Sequence, residues 1–196
     1  MDKELQEKWY HRISSWHYVL ISVGLVSLTA LILYLMGQVP WCQCGFVRLW
    51  HGIVFSSENS QHLSDWYTFT HVIHGFGFYL LFKLLFPRLP APLRLLMAIM
   101  LEGAWEILEN SDFIINRYRE VTISLDYFGD SVINSVSDIL AMIAGFFLAS
   151  QIRGSLSIAL FITFEVMLAY YIRDNLLINI VMLLYPLDWL KAWQIG

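Results

Sequence analysis

Long apolar segments alternate with short polar ones along this chain. Most of the apolar segments approach the ~20 residues that an α-helix needs to cross the hydrocarbon core of a bilayer. We predict five membrane-spanning helices, at Tyr18–Gly37, Trp66–Phe86, Leu93–Glu109, Gly129–Ile152 and Ser155–Ile172. A further apolar stretch, Leu176–Tyr185, is short for a span and is expected either to cross at a tilt or to lie in the interface. The pattern predicts an all-α, polytopic transmembrane helix bundle with five or six spans.

The polar segments predict a single integral membrane domain, 1–196, with loops on both sides. Residues 1–17 precede the first span, 38–64 and 111–128 form two long loops, and 173–196 form an interfacial or sixth-span tail. The short segments expected on one side carry the basic residues Lys3, Lys8, Arg12, Lys83, Arg88, Arg94 and Arg153. By the positive-inside rule, the N-terminus is cytoplasmic in a bacterial inner membrane, and the two long loops face the periplasm.

Composition supports a membrane protein and excludes one class of partner. The chain is 58% hydrophobic and 14% charged, which is more apolar than a typical soluble domain. The net charge of −4 and the lack of a basic patch interleaved with aromatics argue against nucleic-acid binding. A single residue separates Cys42 from Cys44, and this short spacing disfavours a disulfide between them. The sequence also lacks the second pair of ligands that a zinc finger needs. We expect two reduced or loosely paired thiols in this loop. We expect the partners of the protein to be membrane lipids.

Acidic residues interrupt the third apolar segment at helical spacing. Glu102, Glu106 and Glu109 share one helix face. Carboxylates within a bilayer are costly and face the protein interior, a partner or water. The neighbouring predicted spans offer partners at a similar depth, which are His71, His74, Asp130, Asn134 and Asp138. We therefore predict a polar pocket between three helices, open to the outer side.

Imidazoles and carboxylates brought together in this way fit two kinds of chemistry. In one, a divalent metal, zinc or another, would polarise an ester or phosphate or generate a hydroxide. Its predicted ligands are His71, His74, Glu106 and Asp130. In the other, the same groups act as acids and bases without a metal. The catalytic candidates are His71, His74, Glu102, Glu106, Asp130 and Asp138. A polar network that only fixes helix register is the alternative, which we favour for Asn134, Ser131 and Ser135.

Substrate-binding candidates lie in the predicted outer loops. Arg117 and Arg119 would bind the phosphate or carboxylate of a headgroup at the mouth of the pocket, or would serve equally as interfacial anchors. The remaining candidates are Asn59, His62, Asp65 and Asn110. Glu165, within the fifth predicted span, is not assigned to the site.

Several motifs resemble an uncharacterised bacterial inner-membrane family carried under UPF and DUF labels. They are Trp41-Cys42-x-Cys44-Gly45, Ser57-x-Asn59-Ser60-Gln61-His62, Asp65-Trp66-Tyr67-x-x-x-His71-x-x-His74-Gly75, Glu102-x-x-Trp105-Glu106-x-x-Glu109-Asn110, Arg117-Tyr118-Arg119 and Asp126-Tyr127-x-Gly129-Asp130-Ser131-x-x-Asn134-Ser135-x-x-x-Asp138. The resemblance covers about 37–153, leaves out the segment beyond Arg153, and implies the topology but no activity. The His-x-x-His-Gly pattern, acidic helix and Gly-Asp more loosely resemble the VanZ-like membrane proteins.

Three functions fit these features. The leading hypothesis is a membrane-embedded hydrolase or transferase that acts on a lipid or lipid-linked substrate at the outer leaflet. The second is a transporter or a proton or cation pathway, which ranks lower because the inner halves of the predicted spans are almost wholly apolar. The third is a structural or assembly factor whose polar core fixes helix register.

Overall fold

The computed structural model describes residues 13–122 and 126–196, and this part of the chain is helical without a strand. The prediction of an all-α fold is confirmed. The helices are α1 (Ser15–Leu35), α2 (Thr68–Leu85), α3 (Ala91–Glu109), α4 (Asp112–Val121), α5 (Val132–Gln151), α6 (Gly154–Ile172), α7 (Leu176–Leu184) and α8 (Asp188–Ile195). Most of the predicted cytoplasmic segment 1–17 lies outside the described residues.

Within the described ranges, three helices are long and apolar enough to cross a membrane. They are α1, α5 and α6, with mean hydropathies of 2.3, 1.9 and 1.8. The crossings predicted for α2 and α3 stay predictions. The sixth apolar stretch forms α7, which has nine residues and therefore a length of about 14 Å at ~1.5 Å per residue. It is too short to cross a hydrocarbon core of ~30 Å.

The predicted polar loop 111–128 contains a helix, which is a correction to the sequence-based expectation. The Ser111 hydroxyl accepts a hydrogen bond from the Ile114 amide, 3.5 Å away, and so caps α4. Ser followed by Asp is a common start of a helix, and this signal identifies the helix in retrospect. Its buried face is formed by Ile114, Ile115, Tyr118 and Val121. This amphipathic helix packs against α7.

Helices α2 and α5 approach each other closely through two glycines. A Cβ at Gly75 would lie 2.2 Å from the Met142 carbonyl oxygen, and one at Gly145 would lie 2.2 Å from the Val72 carbonyl oxygen. Only glycine permits this backbone contact. An apolar core packs around the contact, formed by Phe82, Ala98, Ile99, Ile139, Met142 and Phe146. The contact sets the histidines of α2 opposite the aspartate of α5.

The long loop 38–64 has neither helix nor strand and is fixed to the bundle by buried side chains. The Gln61 amide donates to the Gly129 carbonyl over 2.8 Å, and the Asn134 amide donates to the His62 carbonyl over 2.9 Å. Ser131 donates through its hydroxyl to the Gln61 carbonyl over 3.1 Å. Asn134 and Ser131 thus tie the loop to the start of α5, and their predicted role in fixing helix register stays a prediction.

Cys42 and Cys44, in the same loop, are joined by a disulfide. The expectation of two reduced or loosely paired thiols is therefore corrected. The turn between them is closed by a hydrogen bond of 3.2 Å from the Gly45 amide to the Cys42 carbonyl. Gly45 has a φ of 86°, a conformation that glycine adopts without a steric penalty. This tight turn brings the two sulfurs together.

Glu165 caps the N-terminus of α7. Its two carboxylate oxygens accept hydrogen bonds from the Leu176 and Leu177 amides, 3.1 and 3.2 Å away. Such amides have no partner within their own helix and favour a negative charge. The side chain is 6% exposed, so Glu165 neither enters the predicted pocket nor faces lipid.

Candidate functional site

A cavity of about 70 Å³ opens between α2, α3, α5 and the segments that cover them. It is large enough for several water molecules. Of the predicted catalytic residues, His71, His74, Asp130 and Asp138 line it. Tyr118 and Asn59 line it from α4 and from the long loop. The predicted convergence of three helices on one polar pocket is therefore present in the structure.

Glu102 joins the two imidazoles behind the cavity wall. Its Oε1 lies 2.6 Å from Nδ1 of His71, and its two oxygens lie 3.1 and 3.0 Å from Nδ1 of His74. A carboxylate only accepts hydrogen bonds, so we assign the protons to Nδ1 of both rings. In a ring that is neutral, the lone pair is then on Nε2. One fully buried carboxylate, that of Glu102, thus fixes the tautomer of both rings.

Glu106 and Asp138 have carboxylate oxygens without donors. Glu106 is 0% exposed, and neither of its oxygens has a hydrogen-bond partner among the described residues. Its Oε1 lies 3.5 Å from Nδ1 of His71. The Oδ1 atom of Asp138 is also without a partner there, and Oδ2 lies 3.8 Å from Nε2 of His71. Buried acceptors left unpaired are costly, so these oxygens require a proton, water or cation.

The structure groups the metal-ligand candidates differently from the prediction. One group is His71, His74 and Glu102, and a second is His71, Glu106 and Glu109, each with ligand atoms within 4.8 Å of one another. Imidazole nitrogen and carboxylate oxygen suit zinc, manganese or iron, and the unpaired oxygens of Glu106 fit a bound cation. Asp130, the fourth predicted ligand, belongs to neither group.

Asp130 lies in the loop before α5 and is held by Asn110. The Asn110 amide donates to Oδ2 of Asp130 over 3.2 Å, and its carbonyl oxygen accepts from the Asp130 amide over 2.6 Å. The Tyr127 hydroxyl donates to Oδ1 over 3.0 Å. Burial raises the pKa of Asp130 to about 6, against these hydrogen bonds, which lower it. Asn110, predicted to bind substrate, instead positions an acid on the cavity wall.

Of the substrate-binding candidates in the first outer loop, one lines the cavity and the others form hydrogen bonds within the loop. Asn59 lines the cavity, and its side-chain oxygen has no partner among the described residues. Asp65 accepts hydrogen bonds from the Ser60 and Tyr67 amides over 3.0 and 2.8 Å, and burial raises its pKa. His62 contacts Glu58 over 3.1 Å and does not line the cavity. Only Asn59 is placed to meet a substrate.

The two predicted anion-binding arginines hold main-chain carbonyls instead. Nε of Arg117 donates to the Leu183 carbonyl over 3.1 Å, and Nε of Arg119 donates to the Tyr127 carbonyl over 2.5 Å. Neither side chain lines the cavity. Arg117 ties α4 to the C-terminal end of α7, and Arg119 ties it to the following loop. The structure does not bring these arginines into the site.

The sequence did not predict that α7 and Tyr118 form parts of the cavity wall. Leu176, Asn179, Ile180 and Leu183 of α7 line it, although this segment lies outside the motifs. The Tyr118 hydroxyl donates to Oε1 of Glu109 over 3.0 Å. Asn175, whose side chain caps α7, signals a helix start in the sequence. No local signal places that helix against the cavity.

Together these features define an all-helical protein of membrane type with a buried histidine–carboxylate cavity. The chain belongs to a family described as "Protein of unknown function (DUF2585)", whose pattern matches residues 33–196. The predicted resemblance to an uncharacterised UPF and DUF family is confirmed. Because the match continues to residue 196, the C-terminal third belongs to the family pattern, which corrects the range of 37–153.

Relatives cover nearly the whole chain. A UPF0314 protein of Sinorhizobium fredii is 51% identical over 93% of this chain and 93% of its own length. One of Rhizobium meliloti is 50% identical over 97% and 96%, and one of Paracoccus denitrificans is 55% identical over 87% and 88%. No solved structure matches the chain. The looser likeness to VanZ-like proteins is not shown by these comparisons.

Proposed function

We propose that this protein is a membrane-embedded hydrolase or transferase that acts on a lipid or lipid-linked substrate from the outer leaflet. The observation that carries the proposal is the arrangement at Glu102. One buried carboxylate holds Nδ1 of His71 and Nδ1 of His74, which leaves both Nε2 atoms as bases on the wall of a cavity. General bases need this kind of fixed tautomer and access to a reacting proton.

The chemistry follows from the groups around that pair of rings. An Nε2 atom of His71 or His74 takes the proton of a water molecule or a substrate hydroxyl, and the oxygen attacks an ester or phosphate. The leaving oxygen takes a proton from an acid on the cavity wall. Asp138 and Asp130 line the cavity and are the nearest candidates for that acid. At the end of each cycle, the proton taken up by the imidazole passes to the acid that gave one up. Both groups thereby return to their starting protonation states.

A divalent metal such as zinc fits the same residues. Either His71, His74 and Glu102 would hold it, or His71, Glu106 and Glu109 would, since the ligand atoms of each group lie within 4.8 Å of one another. The oxygens of Glu106 lack partners among the described residues, which favours the second group. When bound, such an ion would polarise an ester or phosphate oxygen and lower the pKa of water. An ion bound there would replace the Nδ1 protons of the two rings, so tautomer control by Glu102 belongs to the metal-free site.

An amphiphilic substrate suits the mixed lining of the cavity. The histidines and aspartates contribute polar groups, whereas Leu176, Ile180 and Leu183 of α7 contribute apolar ones. A lipid presents a polar headgroup joined to an acyl chain, which matches this combination. The proposal includes α2 and α3 as membrane spans, a cytoplasmic N-terminus and a pocket that opens to the periplasm.

A transport pathway is less well supported than an enzyme. Below the histidines, the contact between α2, α3 and α5 is filled by the apolar core that includes Phe82, Ile99 and Met142. Its buried members carry no polar group that would pass a proton or a cation. The polar residues therefore form a pocket that is closed on one side.

Lipid analysis of a deletion strain tests the proposal. We expect a lipid or lipid-linked species to accumulate on deletion, and plasmid-borne wild-type protein to restore its normal level. His74→Ala and Glu106→Gln should fail to restore it, whereas His17→Ala, at an exposed histidine, should succeed. Membrane levels of each variant are measured by immunoblot. An unchanged lipid profile on deletion, together with purified protein that contains no metal, would contradict the proposal.

A further inference from the structure

A second cluster of ligand-type side chains lies in the long loop, away from the cavity. Cys42, Cys44, Glu58 and His62, here called the loop cluster, offer ligand atoms that all lie within 4.8 Å of one another. None of these four residues lines the cavity. Two thiolates, a carboxylate and an imidazole form a donor set suited to tetrahedral zinc. The second pair of ligands that the sequence seemed to lack therefore comes from the far end of the same loop.

His51 gives independent evidence that this cluster takes a cation. Its Nε2 lies 3.1 Å from the Ile53 carbonyl, and because a carbonyl only accepts, Nε2 carries the proton. The lone pair is therefore on Nδ1, which is buried and has no hydrogen-bond partner among the described residues. That atom lies 4.0 Å from Oε2 of Glu58, and the His51 side chain is 3% exposed. The buried lone pair on Nδ1 of His51 thus faces the carboxylate of Glu58, and a cation bound between the two would stabilise both.

Hydrogen bonds prepare the other groups for the same role. The Cys44 amide donates to Sγ of Cys42 over 3.2 Å, which favours a thiolate when the sulfur is reduced. Nε2 of His62 lies 3.1 Å from Oε2 of Glu58, and Nδ1 of His62 accepts a hydrogen bond from the Arg48 amide over 3.3 Å. Both ring nitrogens of His62 therefore already have partners, whereas Nδ1 of His51 has none among the described residues. A backbone carbonyl bound to the other ring nitrogen, as in His51, is typical of metal-binding histidines.

We propose that the loop cluster is a zinc site controlled by thiol oxidation. In the oxidised form, Cys42 and Cys44 form the disulfide present in the structure. A dithiol reductant breaks the sulfur–sulfur bond by supplying two electrons and two protons, and is itself oxidised to a disulfide. The two thiols release their protons as zinc binds. Glu58 and an imidazole, from His62 or His51, complete the ligand set.

The site controls the loop that covers the cavity. Asn59 and Ser60, which follow Glu58 directly, line the cavity. Zinc bound to Glu58 and to the Cys42–Cys44 turn would tie the two ends of the loop together beside them. This inference does not depend on the function proposed for the cavity, because the cluster shares no residue with the histidine–carboxylate site.

Cobalt substitution tests the inference, because only thiolate ligands give a sulfur-to-cobalt charge-transfer absorption. Full-length protein in detergent micelles is reduced with a phosphine under argon and titrated with Co²⁺. We expect one ion per chain with that absorption, its displacement by zinc, and no such absorption in oxidised protein. The double variant Cys42→Ser/Cys44→Ser should abolish it, and Glu58→Gln should weaken cobalt binding by at least ~10-fold. His51→Ala and His62→Ala identify the ring that binds, as the one whose loss weakens it comparably.

Two controls make the outcome decisive. His17→Ala and His74→Ala should keep the absorption, since neither residue belongs to the loop cluster and the cavity contains no sulfur ligand. Zinc should also slow alkylation of both cysteines in the reduced wild type, as measured by mass spectrometry. Circular dichroism checks the helix content of each variant. Reduced wild-type protein without the charge-transfer absorption, or a Cys42→Ser/Cys44→Ser variant that retains it, would overturn the inference.

Discussion

Two groups of buried carboxylates in this molecule differ in their hydrogen bonds. In the C-terminal region, Asp174 accepts from the Tyr67 hydroxyl over 3.0 Å, from the Asn175 amide over 2.9 Å, and from the Asn179 and Gln194 side chains over 3.1 Å each. The donors come from three parts of the chain: the start of α2, α7 with its N-cap, and α8. This carboxylate connects α2, α7 and α8, and these donors satisfy the hydrogen-bonding capacity of its buried oxygens.

Glu106, in the central site, is as deeply buried as Asp174 but lacks donors. It is 0% exposed without a partner for either oxygen among the described residues, whereas Asp174 is 1% exposed and has four donors. Equal burial thus leaves one carboxylate satisfied and the other in need of a proton, water or cation. The comparison implies that removing Asp174 costs stability, and that removing the charge of Glu106 costs function.

The largest expected effect concerns the backbone contact beneath the central site. Gly75→Ala places a Cβ 2.2 Å from the Met142 carbonyl oxygen, so α2 and α5 must separate. We expect a loss of at least ~4 kcal/mol of stability or of the folded protein itself, measured by thermal unfolding in detergent. Gly77→Ala is the matched control, because nothing lies within 4 Å of its Cβ position. It should stabilise by up to ~1 kcal/mol, and equal unfolding temperatures for both variants would contradict this packing.

Asp174→Ala should cause the next largest loss. The change removes the acceptor of buried donors, including the amides of Asn179 and Gln194, and we expect it to cost about 3–4 kcal/mol. Unfolding followed by tryptophan fluorescence measures the effect. Asp126→Ala, at an exposed aspartate, should change stability by less than ~0.5 kcal/mol. Similar losses for both variants would show that the network does not hold the C-terminal region.

The stability of the protein should depend on pH through Asp130, which lies on the cavity wall. Its pKa is raised from 3.8 to about 6 by burial, so folding favours the protonated acid. The resulting stability is present below pH ~4 and is lost as the pH rises through about 6, by about 2–3 kcal/mol. Unfolding temperatures between pH 4 and 7 should therefore fall less in Asp130→Asn than in the wild type. A parallel fall in both proteins would contradict the assignment.

The smallest effect on stability is expected at Glu106. Replacing a buried carboxylate that has no donor is often neutral or stabilising, so Glu106→Gln should change stability by no more than ~1 kcal/mol. Glu165→Gln, with the same change of chemistry, weakens the cap on the Leu176 and Leu177 amides and should cost about 1–2 kcal/mol. Chemical unfolding of both variants in one detergent measures the difference, and a larger loss at Glu106 would remove the contrast.

Local patterns in the sequence account for the central site. The spacing of Glu102, Glu106 and the two histidines requires only that their segments be helical and adjacent. The hydrogen bonds of Glu102 to both rings follow from that geometry. The sequence could not assign Asp130 and Asn110 to each other, because their pairing depends on how the loop before α5 folds back on α3.

Long-range docking explains what the sequence analysis missed. The position of α7 on the cavity depends on Arg117, Glu165 and Asp174, which meet it from three distant segments. None of these residues carries a local sequence signal that points to α7. The disulfide between Cys42 and Cys44 was likewise disfavoured by spacing, since only the folded turn shows the two sulfurs together.

Stability and lipid phenotype of Glu106→Gln, measured on the same expressed protein, test the central claim most directly. We predict an unfolding temperature equal to or above that of the wild type, together with failure to restore the lipid profile of a deletion strain. That pair of results is expected of an acid kept for chemistry at some expense of stability. A lower unfolding temperature with a fully restored lipid profile would contradict it and make Glu106 a structural residue.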